Sequence, residues 1–174
     1  MKLALATLAL VSGASGQTLQ DFGFLGGHLY ERYDHPINWN DAYALVQDMQ
    51  PKCGKAPHLV SMDSDEENDF ASALIDGTQA WIGTTDQNGW CAAVFDPNDL
   101  SLGCEGNWVT LTEVGQHLPL SYSNWAPSEP NNLGNEDCAV TNWGSTLWND
   151  VPCSGYPKDY IIEYDCAPSA YYEG

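Results

Sequence analysis

The chain has 174 residues, enough for one domain with a single substantial core. It carries 24 acidic residues against 5 basic ones, a formal net charge of −19. A surface of that sign repels nucleic acid and anionic membranes, which excludes both as partners, and it favours solubility. Met1 and Lys2 precede an apolar run over residues 3–11, and small residues follow to Gly16. Ala14-Ser15-Gly16 satisfies a cleavage site, so residues 1–16 read as a signal peptide and the mature protein is expected to be secreted. The apolar run is too short to span a bilayer, and no later stretch reads as transmembrane, so no membrane insertion is expected. Cleavage would remove Lys2 and no acid, leaving −20.

Residues 17–27 are Gly-rich with neither a heptad nor a Gly-X-Y repeat, so nothing there builds a stalk or coiled coil, and no oligomerisation segment is visible. Asn38 and Asp41 flank a helix start. Trp39, Ala42, Leu45, Val46 and Met49 then keep helical spacing until Pro51. A second helix is capped by Asp63 or Ser64, with Glu67 placed to complete a capping box. Its apolar face is Phe70, Ala71, Leu74 and Ile75, and Gly77 ends it. Both faces read as core. The period then changes. Residues 80–83, 107–111, 139–142 and 160–164 read as short strands rich in β-branched and aromatic residues. Between them, residues 121–135 form a long loop of Pro, Asn and Ser, which nearby tryptophans (Trp125, Trp143, Trp148) and a disulfide should keep ordered. Two helices followed by strands make an α+β domain with a large irregular loop.

Six cysteines in a secreted chain imply a disulfide framework, with fifteen pairings open by counting alone. No Cys-x-x-Cys spacing suggests zinc or a redox pair. Nearness favours Cys91–Cys104 and Cys138–Cys153, which leaves Cys53 with Cys166 near opposite ends of the domain.

The chemistry concentrates between residues 129 and 153. Glu129-Pro130-Asn131 and Glu136-Asp137-Cys138 are followed by Trp148-Asn149-Asp150 and Cys153. Charged carboxylates and neutral amide carbonyls stand together there, and calcium takes six to eight such oxygens. Together with Trp81-Ile82-Gly83, Trp125 and Pro127, these motifs resemble the C-type lectin carbohydrate-recognition domain over residues 25–166, leaving 167–174 as a short tail. The resemblance implies the C-type lectin-like fold: two helices, short antiparallel sheets and a long calcium-binding loop. It also implies the Cys53–Cys166 and Cys138–Cys153 disulfides.

The resemblance further implies a calcium ion held by Glu129, Asn131, Glu136, Asn149 and Asp150, with a cis peptide bond before Pro130. The same five residues would bind sugar. Two vicinal hydroxyls each give a lone pair to calcium, donate a proton to Glu129 or Glu136, and accept from Asn131 or Asn149. In the family, Glu-Pro-Asn goes with mannose, N-acetylglucosamine and fucose-type ligands and Gln-Pro-Asp with galactose, so a mannose-type glycan partner is expected. An auxiliary calcium site is implied at Asp86, Asn132 and Asp137. Glu105 is carried over beyond an extra loop closed by Cys91 and Cys104.

Other readings are weaker. His28, Glu31 and His35 match no zinc-protease helix motif and read as structural. Asp96, Asn98 and Asp99 fit no EF-hand because Leu100 follows. Calcium ligation would keep the paired carboxylates ionised and leave no general acid, so no catalysis is expected. The alternative is a mineral- or ice-surface-binding protein on the same fold.

Overall fold

The computed structural model describes residues 17–88, 90, 104–112, 116–155 and 157–166. Strand β1 (Thr18–Leu25) and strand β2 (His28–Ile37) form an antiparallel hairpin. Its turn is Gly26-Gly27, where φ of 62° and 107° puts both residues in a region that L side chains avoid. The sequence reading assigns no element to residues 17–27. The strand lacks the alternation that marks a half-buried sheet, because nearly every one of its residues is partly covered. Gly23 explains part of that cover: a Cβ there would lie 2.6 Å from the Phe70 ring.

Helix α1 (Trp39–Gln47) starts where expected, with the Asn38 side chain accepting from Asp41 N–H at 2.9 Å. It buries Trp39, Ala42 and Val46 and ends at Asp48, ahead of Met49 and Pro51. Strand β3 (His58–Leu59) precedes helix α2 (Asp65–Leu74). Ser64 is the cap of α2, accepting from Glu67 N–H at 3.3 Å. The Glu67 carboxylate reaches back to Asp63 N–H at 2.7 Å, so both candidate cap residues take part. Gly77, at φ 80°, follows the helix end.

The remaining strands are β4 (Ala80–Thr85), β5 (Val109–Leu111), β6 (His117–Pro119), β7 (Cys138–Thr141), β8 (Asn149–Val151) and β9 (Lys158–Tyr164). Their main order is β1-β2-β9-β4-β5-β6, with β3 paired to β9 and with β7 linking β4 to β8. The pairings are antiparallel except β4 with β9, which run parallel from Ala80↔Asp159. β5 starts two residues later than the sequence suggests, because Gly106 turns at φ 75° and Asn107 N–H bonds Cys104 O. β7 ends at Thr141 because Asn142 takes φ 62°.

The sheet is covered on both faces. Along β9, Tyr160, Ile162 and Tyr164 join one core cluster with Trp39 and Trp81. Ile161 joins a second with Tyr30, Ile82 and Trp148. Two-sided burial is why β4 and β9 read as continuous apolar runs instead of alternating ones. Gly83 lets β4 cross β3 closely: a Cβ would lie 2.5 Å from Leu59 O. Cys53–Cys166 ties the α1–β3 connection to the residues after β9, and Cys138–Cys153 closes the β7–β8 hairpin. The Cys91–Cys104 pairing involves Cys91, which lies outside the described residues, as do Asp96, Asn98 and Asp99.

Candidate functional site

The long loop hangs on tryptophans. Trp125 bridges Trp148 in parallel, Ala126 N–H donates to Trp148 O at 2.8 Å, and Trp148 N–H to Asn124 O at 2.8 Å. Trp148 is fully buried, and its indole N–H donates to Asn68 Oδ1 on α2 at 2.7 Å. Trp125 packs between Trp108 and Trp148, with ring centroids 4.7 and 5.5 Å away. Aromatic packing of this kind roots the loop in the second core cluster of the sheet. The chain needs Ser128, Asn132 and Asn135 at positive φ (76°, 49° and 74°) to turn back over that core. Asn tolerates this region better than most side chains. The Glu129–Pro130 peptide is cis.

Strand β8 supplies the floor. It carries Asn149 and Asp150, paired across to Val140 and Ala139 on β7. Asp150 is fully buried. Its two carboxylate oxygens accept from Asn131 N–H at 3.1 Å and Asn132 N–H at 2.7 Å, which fixes the loop to the strand. Asn131 donates its side-chain amide to Glu129. Glu136 accepts from Leu133 N–H at 2.9 Å, and its own N–H donates to Asn132 Oδ1 at 2.7 Å. Hydrogen bonds through Asn131 and Asn132 thus join Glu129, Glu136 and Asp150, the two glutamates toward solvent and Asp150 buried, while Asn149 is buried next to Asp150 on β8. Among the described residues, no three carboxylates of this patch have ligand atoms within 4.8 Å of one another. Asp150 and Glu136 are instead turned onto main-chain N–H groups.

Two features of the patch ask for a cation. Asn149 Oδ1 is buried without a hydrogen-bond donor, and such an orphaned acceptor costs about 1–3 kcal/mol. Burial and the neighbouring Asp150 charge hold the Glu129 carboxyl above the usual carboxylate range. Burial does the same for Glu136 against the Leu133 N–H, with Asp150 adding a smaller repulsion. Carboxylates, amide carbonyls and an unpaired buried oxygen are the donor set of a hard divalent cation. The residues fit calcium.

The auxiliary residues form a second group against the first. Asp86 follows β4, is 2 % exposed, and accepts from Gly106 N–H at 2.8 Å through one oxygen. Its other oxygen is buried and unpartnered. Burial pushes its pKa up to about 7 against that hydrogen bond, with Glu105, Asp137 and Asp150 adding repulsion. Asp86 N–H donates to Asp137 O at 3.1 Å, and the Asp137 carboxylate accepts from Asn135 at 2.7 Å. Thr85 is a site residue that the sequence reading misses: its hydroxyl donates to Asp137 O at 2.6 Å and pins the strand end to the loop. Only its position next to Asp86 could have drawn attention to it.

The His28, Glu31, His35 trio does not assemble. It lies on β2, where odd spacing puts His28 and Glu31 on opposite faces. Glu31 instead pairs with Lys52 and accepts from the Tyr33 hydroxyl at 2.9 Å.

The profile of the Lectin C-type domain family matches residues 39–161. Lectin BRA-3 of Megabalanus rosa is 29 % identical over 130 residues, 74 % of this chain and 66 % of that protein. The mannose-binding protein of Gallus gallus is 38 % identical over 104 residues, 59 % of this chain and 33 % of that protein. The chain therefore spans between about a third and two thirds of these relatives. The carbohydrate-recognition domain of cow CD23, solved in the presence of a GlcNAc2Man3 oligosaccharide, superposes with a TM-score of 0.60. The two are 26 % identical, with 82 % of this chain and 91 % of that one covered. The chain belongs to the C-type lectin domain family, and the fold is that family's.

Proposed function

We propose that the protein is a secreted, calcium-dependent, non-enzymatic lectin with a preference for mannose, N-acetylglucosamine and fucose-type sugars. The observation that carries this reading is the unpaired buried Asn149 Oδ1 beside Asp150, at the foot of a loop lined by Glu129, Asn131 and Glu136. These five residues would hold the ion, which when bound supplies coordination positions for two adjacent sugar hydroxyls. The chain's own part is hydrogen bonding. Glu129 and Glu136 accept the hydroxyl protons, and the amide groups of Asn131 and Asn149 donate to the hydroxyl oxygens. Asp150 holds Asn131 and Asn132 by their main-chain N–H groups, so the loop is shaped before the sugar arrives.

Asp86, Glu105, Asn132 and Asp137 would hold the auxiliary calcium. Asp86 Oδ1, buried without a partner, supports that reading. The mannose-type preference draws on Glu129-Pro130-Asn131 and on the names of two relatives, the Gallus gallus mannose-binding protein and the CD23 domain crystallised with a mannose-containing glycan. A single shallow polar site gives low affinity, so strength would come from multivalent display. The residue 1–16 leader supports secretion, and among the described residues no helix is long and apolar enough to cross a membrane. The mineral- or ice-surface alternative rests on shared fold alone. Herring type II antifreeze protein matches at 22 % identity with a TM-score of 0.59 over 82 % of this chain and 94 % of that one.

The test is retention on mannose resin with calcium and release by chelator, beside two variants. Asn149→Ala should abolish retention, and the double change Glu129→Gln, Asn131→Asp should transfer it to galactose resin. Wild-type retention that ignores chelator, or that appears on galactose alone, would overturn the reading.

A further inference from the structure

Where β2, β3 and β9 meet, His28, Glu163 and Asp165 bring polar atoms within 4.8 Å of one another, with His58 beside them. Protons close this histidine–carboxylate cluster. His28 pairs with Glu163, while His58 donates to Leu59 O at 2.9 Å and faces Asp165 at 3.5 Å. A different group of hydrogen bonds, between α2 and the long loop, bears on the calcium residues.

Its centre is Asn68 of α2, 1 % exposed. Oδ1 accepts from the Trp148 indole N–H at 2.7 Å, and Nδ2 donates to Thr146 O at 3.1 Å. An indole N–H only donates and a carbonyl only accepts, so the contact needs a side chain that offers one of each. Asn124 holds the same two residues from the loop. Its side-chain amide donates to Thr146 O at 3.0 Å, and its carbonyl accepts from Trp148 N–H at 2.8 Å. Residues 146 and 148 are thus each held twice, once from the helix and once from the loop, just before Asn149 and Asp150 open β8.

The grip has a second half. Ser72, one turn further along the same face of α2, shares a hydrogen bond with the Thr141 hydroxyl at 2.9 Å, and its carbonyl accepts from the Asn142 side chain at 3.1 Å. The helix therefore holds the end of β7 through Ser72 and the approach to β8 through Asn68. Only the second hold lies next to calcium residues.

That place matters because Asn149 Oδ1 is buried without a donor. Before an ion binds, such an acceptor gains from any shift of β8 that brings it a donor. Fixing residues 146 and 148 opposes the shift and keeps the oxygen ready for the ion. We propose that Asn68 is a positioning residue for the calcium and sugar site, acting through Trp148 and Thr146 on Asn149 and Asp150. The inference rests on the lectin reading above.

The test is calorimetric calcium titration of the full chain, with urea unfolding in chelator, for Asn68→Ala and Ser72→Ala. Both variants should lower the urea midpoint. Only Asn68→Ala should also weaken calcium binding, by about tenfold, the low end of what loss of an outer partner costs a metal site. Trp148→Phe keeps an aromatic ring and removes the same hydrogen bond from the other side, so it should reproduce that loss. It decides the question should Asn68→Ala fail to fold. It also identifies the Trp148 indole N–H resonance, which Asn68→Ala should shift in chelator. Unchanged calcium affinity in Asn68→Ala, or an equal loss in Ser72→Ala, would leave the contact a matter of stability alone and overturn the inference. A wild type that binds no calcium overturns the lectin reading and the inference together.

Discussion

The two groups of polar side chains are built in opposite ways. The calcium patch draws its residues from 129 to 150 and holds them with main-chain N–H groups of the same loop. The histidine–carboxylate cluster draws on residues 28, 58, 163 and 165, and only the pairing of β2, β3 and β9 brings them together. One is a loop shaped by tryptophans and a short disulfide. The other is a property of the sheet. Damage to the loop's supports should therefore cripple the first while leaving the second.

The largest effect is expected from Trp148→Ala. Trp148 is fully buried, donates to Asn68, and packs on Trp125 and Tyr122. Removing a core aromatic costs about 3–5 kcal/mol, read as a fall in the urea midpoint at unchanged slope. Calcium should no longer raise the melting temperature of this variant. A calcium response kept by the folded variant would show that the loop holds its shape without Trp148.

Next comes Cys138→Ser with Cys153→Ser. The bond closes a loop whose ends are 15 residues apart, worth about 3 kcal/mol in the chain-entropy model. The loss should appear in denaturant unfolding, together with weaker calcium binding, because Asn149 and Asp150 lie inside the closed hairpin. Unaltered calcium affinity would show that the β7–β8 pairing alone positions them.

The same contrast explains what could be read from the sequence. Glu129, Asn131, Glu136, Asn149 and Asp150 stand close along the chain in motifs whose oxygens announce their chemistry, and local hydrogen bonds tie Glu129, Asn131 and Glu136 to Asp150 on β8. The helices were legible because their caps are local: Asn38 and Ser64 each bind an amide three residues on. β8 was hidden because Asn149 and Asp150 are poor strand formers, placed there by pairing with β7. β1 was hidden by its uniform half-burial. His58 and Asp165 gave no signal at all, since nothing near either one in sequence suggests a partner. Only long-range register joins them to His28. The β2 histidines drew attention as a trio with Glu31, but pleating separates His28 from Glu31.

The smallest effect expected concerns Glu67, on α2 beside Tyr30 of β2. It is 5 % exposed and hydrogen-bonded to the Tyr30 hydroxyl and Asp63 N–H. Burial first, then the Glu163 charge, raises its pKa from 4.5 to about 7. A carboxyl raised in this way favours the folded state most when protonated. Its contribution is complete below about pH 4.5 and disappears as pH climbs through about 7. Allowing for solvent screening, the swing is on the order of 1–2 kcal/mol. Glu67→Gln imitates the protonated form, so in chelator its stability should fall less across that window than the wild type's, the remaining fall coming from Asp86. Parallel curves for the two proteins would locate the titrating group elsewhere. A variant that lessens the decline without changing calcium binding would show that this carboxyl serves the packing of α2 against β2 and not the ion.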